Sequence, residues 1–374
     1  MVVPKLLPYD VHEPPKGFNS FTAKAHELIP LSAQRAFRDR HAHWFDRAVS
    51  VSAVALAARH PKALLRFLAL RRSAQVFQYG LESSQQVVEL HQCGKQGAPV
   101  VIFMHGGAWF SGRPWMYRLI ATALNRQGLD VGIVGYGTYK TLPPIPGTLL
   151  PDPALEGIGD FSVVLGNVDH QIDDLQHCLE FLMTDPRSPY SIDDTPIFLS
   201  GHSSGAHVCS LLLLRQALGL PGHATLPRPI AGFIGLSGVY DVAAHHEYEA
   251  RRGVHEISGM GPCNGGLAGF HRNSPTTLAG MLTAEQAEKL PPCLILHGVE
   301  DETVPFTSSL VFANCLEGHG GRVKTGWLPG MDHQGTVAVL MMGRDSEVER
   351  QIAAFSGGKG GRKGEEGVAP MARL

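Results

Sequence analysis

Charge is scarce in this 374-residue chain, at 18% of residues, and neither sign prevails: 32 Lys and Arg stand against 34 Asp and Glu, a net charge of −2. No basic patch is strong enough to neutralise a phosphate backbone, so nucleic acid is not an expected partner. Long apolar runs are also missing. A spanning helix needs roughly eighteen or more apolar residues, and the longest ambiguous stretch, Val49 to Ala58, is stopped by Arg59-His60-Pro61-Lys62. The six cysteines, at 93, 178, 209, 263, 293 and 315, show no C-x-x-C spacing. They read as reduced thiols of an intracellular protein, with no metal cage and no disulfide frame. The first residues, with Pro4, Lys5 and Asp10, lack the apolar core of a secretory signal.

Glycine is abundant, and its placement carries the chemistry. Gly201-His202-Ser203-Ser204-Gly205 falls where the apolar run Ile197-Phe198-Leu199 gives way to a helical pattern from Ala206 to Leu218. A serine between glycines at that junction is the elbow that lifts a hydroxyl above the edge of a parallel sheet. Ser203 is the candidate nucleophile. A second apolar run, Val100 to Met104, ends in His105-Gly106-Gly107-Ala108-Trp109, where small residues let backbone N–H groups reach a developing oxyanion. A third, Cys293 to Leu296, is followed by His297-Gly298-Val299-Glu300-Asp301, which puts Asp301 just beyond a strand end. After a last run, Val323 to Leu328, the loop Pro329-Gly330-Met331-Asp332-His333 supplies a histidine. The order Ser, Asp, His is that of the α/β-hydrolase triad, unlike the chymotrypsin or subtilisin orders.

Each piece also has an ordinary explanation. Gly106 and Gly107 could simply make a tight turn, Asp301 could cap the helix expected near Phe306, and His333 is one of nineteen histidines. Four sites in the right order, each at the carboxyl end of an expected strand, do not coincide by accident. Asp332 rivals Asp301 because it adjoins His333, but a loop residue normally points away from the side chain next to it. His202 lies inside the elbow and His207 on the following helix, so neither is placed to take the serine proton.

Strands are expected at about 74–80, 87–92, 98–104, 130–135, 195–200, 230–236, 292–297 and 323–328, with helical patterns near 114–127, 169–184, 204–218 and 306–317. This alternation predicts an α/β fold: a mostly parallel eight-stranded sheet flanked by helices, with antiparallel strands first. Residues 1–72 read as a helical arm with patterns over Ser32 to Arg47 and Ala53 to Arg72, and 73–355 as the catalytic domain. Leu64, Leu65, Phe67, Leu68 and Leu70, mixed with Lys62, Arg66, Arg71 and Arg72, would pack on the core or rest on a membrane surface. Residues 141–165, rich in Pro and Gly, read as a loop insertion. Residues 241–283 read as a cap over the site, with His245, His246 and His255 each expected on a solvated helix face. Residues 356–374 hold almost nothing to bury and read as a disordered tail. The ending Ala372-Arg373-Leu374 resembles a peroxisomal address; cytosol or an internal membrane face is the other expected location.

The set His105-Gly106-Gly107-Ala108-Trp109, Gly201 to His207, Ser237-Gly238-Val239-Tyr240-Asp241 and Asn273-Ser274-Pro275 resembles the α/β hydrolases that include isoprenylcysteine methylesterases and arylformamidases (kynurenine formamidases). The resemblance covers roughly residues 75–340, and His246-Glu247-Tyr248-Glu249-Ala250-Arg251-Arg252-Gly253 is similar to the methylesterases in particular. Ser204 departs from the usual alanine. The resemblance implies a serine carboxylic-ester hydrolase acting on a small-molecule ester or amide, with a prenylated cysteine methyl ester as the leading substrate. N-formylkynurenine is the alternative, and a non-catalytic small-molecule receptor is an alternative of another class. Ser203 would attack, His333 would act as general base, and Asp301 would orient the imidazole. The N–H groups of Ser204 and of the Gly106-Gly107-Ala108 turn would hold the oxyanion and contact substrate. Neither a metal nor an organic cofactor is implied.

Overall fold

The computed structural model describes residues 60–358 except 82, 143–162, 192–194 and 344, together with Pro30 and Ala33. Short, nearly uninterrupted apolar runs form its centre, because a parallel strand buried on both faces has no solvent side to fill. The strands are β1 (Gln75–Gln78), β2 (Val87–His91), β3 (Val100–Met104), β4 (Asp130–Val134), β5 (Lys140–Leu142), β6 (Val163–Leu165), β7 (Ile197–His202), β8 (Gly232–Leu236), β9 (Cys293–Gly298) and β10 (Val323–Leu328). Eight of them make one sheet in the order β1-β2-β4-β3-β7-β8-β9-β10. β2 runs antiparallel to both of its neighbours, and every pair from β4 to β10 is parallel. All eight expected strands are present.

Parallel pairing requires crossovers, and helices supply them. Eight helices matter here: α1 (Pro61–Ser73), α2 (Ile120–Arg126), α3 (Val168–Thr184), α4 (Ser204–Ala217), α5 (Val242–Arg251), α6 (Thr307–Gly318), α7 (Gly335–Met341) and α8 (Glu347–Phe355). Side chains along β3 alternate between two cores: Val100, Ile102 and Met104 join the layer that includes α3, α4 and α6, while Val101 and Phe103 join the layer of α2, α7 and α8. Each such apolar side chain, fully buried, contributes about 1.5–3 kcal/mol. The sheet is thereby clamped from both faces, and its carboxyl edge becomes a fixed platform for loops.

The structure differs from the expectations in three places. The expected 141–165 loop begins and ends in strand, since β5 and β6 pair antiparallel; residues 143–162 lie outside the described residues. Helices α7 and α8 follow His333 without having been anticipated. Ser346 caps α8 by accepting the Glu349 N–H, and Glu349 is buried because Arg126 and Gln127 donate to its carboxylate at 2.7–2.8 Å. The cap histidines are not all on a solvated face: His245 is 3% exposed, and His246 packs against the Phe270 and His255 rings at 5.0 and 5.2 Å. Short helical turns fold back beneath α5 and fill that face. Of the arm, α1 with His60, Pro30 and Ala33 are described; the Ser32 to Arg47 pattern apart from Ala33, nearly all of the 356–374 tail and the terminal tripeptide lie outside the described residues. No helix among the described residues is long and apolar enough to cross a membrane.

Candidate active site

Ser203 stands between β7 and α4 with φ 55° and ψ −123°, a conformation that costs a non-glycine residue about 1–3 kcal/mol. Its N–H donates to the Leu236 carbonyl at 2.9 Å, and its own carbonyl accepts from His207 N–H at 3.2 Å. The flanking glycines allow the turn to pass under β3. A Cβ on Gly205 would lie 2.2 Å from the Met104 carbonyl oxygen, and one on Gly201 would lie 2.5 Å from the Ala206 nitrogen. Any side chain at either position would force the strand and the helix apart.

Asp301 and His333 come from two different loops that interlock. A Cβ on Gly298 would lie 2.2 Å from the Met331 carbonyl oxygen, and that oxygen accepts the Glu300 N–H at 3.1 Å. Only glycine permits this crossing. It brings His333 Nδ1 to 2.7 Å from Asp301 Oδ2 and His333 Nε2 to 3.0 Å from Ser203 Oγ. A carboxylate can only accept, so Nδ1 carries the proton and Nε2 is left to accept from the serine hydroxyl. Asp301 Oδ1 takes the N–H groups of Thr303 and Val304 at 2.9 and 2.8 Å. Burial acts to raise the Asp301 carboxyl, but the His333 ring and the hydrogen bonds from His297 and His333 outweigh it and hold it well below the usual carboxylate range. The rival Asp332 is turned elsewhere: it is exposed and accepts from Gly335 N–H at 2.7 Å, at the start of α7.

The glycine loop lies directly on the elbow, for a Cβ on Gly106 would be 2.9 Å from that of Ser203. Gly107, Ala108 and Trp109 have φ of 134°, 50° and 66°, and a Cβ on Gly107 would meet the Ser111 carbonyl oxygen at 2.2 Å. Trp109 holds this strained path. Its N–H donates to Ser204 Oγ at 3.2 Å, its carbonyl accepts from Tyr139 N–H and Gln171 Nε2, both at 2.8 Å, and its indole N–H donates to His207 Nδ1 at 3.0 Å. The serine that replaces the usual alanine at 204 thus ties the elbow to the loop. The Tyr136 phenol donates to the His105 carbonyl at 2.8 Å.

Two histidines that sequence reasoning did not assign to the site belong to it. His297 Nε2 lies 3.0 Å from Asp301 Oδ2. His202 Nε2 donates to the His333 carbonyl at 2.9 Å, and the two rings are 4.9 Å apart. Burial, with the neighbouring His333, pushes His202 down to about 3, so it stays neutral. The His297-x-x-x-Asp301 spacing at a strand end was the available signal for the first. His207 is also neutral, pushed down to about 3 mainly by burial, and donates Nε2–H to the Asn273 carbonyl at 2.7 Å. Arg215 bonds the Asn273 side chain at 2.7 Å, and Ser274 Oγ accepts the Val242 N–H at 2.9 Å. The Asn273-Ser274 motif therefore fastens the cap segment to α4.

The cap segment reaches the site at two points: Tyr248 donates to the Glu302 carbonyl at 2.6 Å, and a Cβ on Gly259 would lie 3.0 Å from the Ala108 carbonyl oxygen. A cavity of about 320 Å³ flanks the glycine loop through His105 and Gly112, with Gln85, Arg113, Trp115 and Tyr136 in its wall; none of Ser203, Asp301 and His333 lines it. Among the described residues no group of three or more His, Cys, Asp or Glu side chains is placed to hold a metal ion.

Comparison with known proteins follows the same lines. The family model described as BD-FAE matches residues 166–316. A probable isoprenylcysteine alpha-carbonyl methylesterase of Oryza sativa subsp. japonica is 26% identical over 282 residues, covering 74% of this chain and 62% of that protein. The isoprenylcysteine alpha-carbonyl methylesterase of Arabidopsis thaliana is 25% identical over 239 residues, 63% of this chain and 50% of that protein. The chain thus spans less than two thirds of the length of these relatives. Among solved structures, esterase B from Lactobacillus rhamnosis superposes with a TM-score of 0.56 at 19% identity, over 83% of this chain and 96% of that one. A truncated carbohydrate esterase from gut microbiota gives 0.53 at 17% identity, over 76% and 96%. The strand order and the elbow agree with these likenesses, and the chain has the α/β-hydrolase fold that the solved esterases share.

Proposed function

We propose that the protein is a serine carboxylic-ester hydrolase in which Ser203, His333 and Asp301 are the triad. The observation that carries this is the continuous contact from Asp301 Oδ2 through the His333 ring to Ser203 Oγ, at 2.7 and 3.0 Å. Serine is almost wholly protonated at neutral pH, so attack needs a base within hydrogen-bond reach. His333 Nε2 takes the hydroxyl proton as Oγ bonds to the acyl carbon, and Asp301 stabilises the imidazolium. The proton then passes to the leaving alkoxide as its bond to carbon breaks, and water repeats the sequence on the acyl-enzyme. Among the described residues the N–H groups of Gly107, Ala108 and Ser204 donate to no protein acceptor, which suits them to the oxyanion. Each such donor is worth roughly 3–4 kcal/mol in related chemistry.

For the substrate we propose a prenylated cysteine methyl ester or a close analogue, supported by the names of the rice and Arabidopsis relatives. Work at an anionic lipid surface would suit such a substrate. It is supported by the outward Leu64, Leu65 and Leu68 of α1 beside Lys62, Arg66, Arg71 and Arg72; failure to sediment with phosphatidylserine vesicles would remove that part alone. Initial rates with p-nitrophenyl esters of graded chain length, a farnesylcysteine methyl ester and N-formylkynurenine test the assignment. The methyl ester should be preferred. Hydrolysis of N-formylkynurenine alone would move the assignment to arylformamidase, and no turnover of any compound would favour a receptor.

A further inference from the structure

His297 sits on the last turn of strand before the acid loop, fully buried, and both of its ring nitrogens are committed. Nε2 lies 2.9 Å from the Val304 carbonyl and 3.0 Å from Asp301 Oδ2. Neither oxygen can donate, so Nε2 carries the proton and shares it between them. Nδ1 lies 2.6 Å from Ser309 Oγ on α6, a hydroxyl free to turn and donate, which fixes this tautomer. Asp301 Oδ2 therefore receives two imidazole N–H groups, one from His297 and one from His333, while Oδ1 receives two backbone N–H groups.

We propose that His297 is a positioning residue of the triad, which orients the Asp301 carboxylate and draws part of its charge away from His333. The proposal rests on the triad reading above. A carboxylate accepting one strong bond fewer on Oδ2 would concentrate its charge on the remaining donor, stabilising the imidazolium over the neutral base. Val304 closes the device: its N–H holds Oδ1 while its carbonyl shares the proton of the His297 ring that holds Oδ2, so one residue ties both carboxylate contacts together. The other titratable groups around the pair are His202 from β7, Tyr248 from α5, and Glu302 and Asp332 in the two loops. None is altered in the variants below.

The test is kcat/KM against pH with p-nitrophenyl acetate for the full chain and for His297→Phe, His297→Gln and Ser309→Ala. In His297→Phe, kcat should fall roughly ten- to a hundredfold with KM little changed, and the acid limb should move up by about half a pH unit. His297→Gln, whose amide can occupy the Nε2 position, should return the limb close to its original place. Ser309→Ala releases the tautomer and should move the limb the same way by less; it keeps the question answerable should His297→Phe fail to fold. A limb unmoved in the folded variants would reduce His297 to a packing residue and overturn the proposal. The low-field proton signal of the His333–Asp301 hydrogen bond, read in a Ser203→Ala background with and without His297→Gln and Ser309→Ala, reports the same pair without turnover. It should shift in Ser309→Ala and stay in His297→Gln. Absence of any ester substrate would then strike the function alone, and an unmoved signal the inference alone.

Discussion

Around Asp301 four donors meet one carboxylate, and Trp109 has its N–H, carbonyl and indole all engaged. In the cap, by contrast, the buried Nδ1 atoms of His245 and His246 and Oε2 of Glu249 meet no hydrogen-bonding protein group among the described residues. The first region is over-determined, so that strained residues such as Ser203 and Ala108 keep one geometry. The second leaves polar capacity for a guest or for water, at the cost that each unpaired buried group carries. On the function proposed above, chemistry would reside at the fixed sheet edge and selection in the cap, and the two can be tested apart.

The sharpest way to break this contrast is to remove the group on which the fixed region converges. Ser203→Ala and His333→Ala should each lower kcat by about 10⁴-fold or more, and the double variant should be little worse, because the groups act as a unit. Circular dichroism and thermal melting should show both single variants folded. Additive losses in the double variant would mean that the two side chains act separately.

A smaller effect is expected one step out, in the glycine loop. Gly107→Ala places a methyl group 2.2 Å from the Ser111 carbonyl oxygen at a φ of 134°, so the loop must move and carry the Ala108 N–H with it. Loss of one oxyanion donor costs about 10²–10³-fold in kcat. Rates with p-nitrophenyl acetate should fall by that order with KM nearly unchanged; full activity would place the oxyanion elsewhere.

The two regions were also unequally legible in the sequence. Strand ends are readable because a strand buried on both faces leaves a continuous apolar run, and the residues just past Met104, Leu199, Leu296 and Leu328 are then at the sheet's carboxyl edge whatever the loops do. Ser203, Asp301 and His333 were chosen that way, and the structure brings the three side chains together. The same logic is blind to bonds set by loop shape. Nothing in the sequence says that Ser204 will accept from Trp109, 95 positions away, or that the 301–304 turn will present Val304 and Asp301 together to His297. The cap histidines were misjudged because burial there depends on short helical turns, such as Met260–Cys263 and Gly266–Phe270, too brief to leave a periodic signal.

Buried neutral histidines give the fixed region a pH signature. His202 and His207 are pushed down to about 3 from 6.5, by burial first, with His333 adding to it at His202 and Arg215 adding to it at His207 against the Asn273 hydrogen bond. The unfolded chain therefore binds more protons than the folded one between those values, and stability must fall as pH falls below 6.5. Between pH 6.5 and 5 the loss is on the order of 1–2 kcal/mol per histidine. Asp301 adds a loss only lower, once pH drops below the ordinary 3.8 of a carboxyl toward its depressed value. Urea midpoints across pH 6.5 to 5 should decline more steeply for the native sequence than for His207→Gln, which keeps a donor for the Asn273 carbonyl. Parallel slopes would mean that His207 titrates alike in both states.

The smallest effect is reserved for the cap, and it decides whether selection resides there. His246 touches Phe270 and His255 but none of the triad, so His246→Ala should leave turnover of p-nitrophenyl acetate within about twofold. Removing one apolar or polar contact from a substrate pocket is worth about 1–3 kcal/mol of discrimination. The ratio of kcat/KM for a farnesylcysteine methyl ester over the acetate should accordingly change by roughly ten- to a hundredfold. A change in the ratio with the acetate rate intact would tie selection to the unpaired histidine edge of the cap. An equal loss for both esters, with a lowered melting temperature, would instead make His246 a prop for the Gly259 turn that rests on Ala108, and the separation between chemistry and selection would fail at that residue.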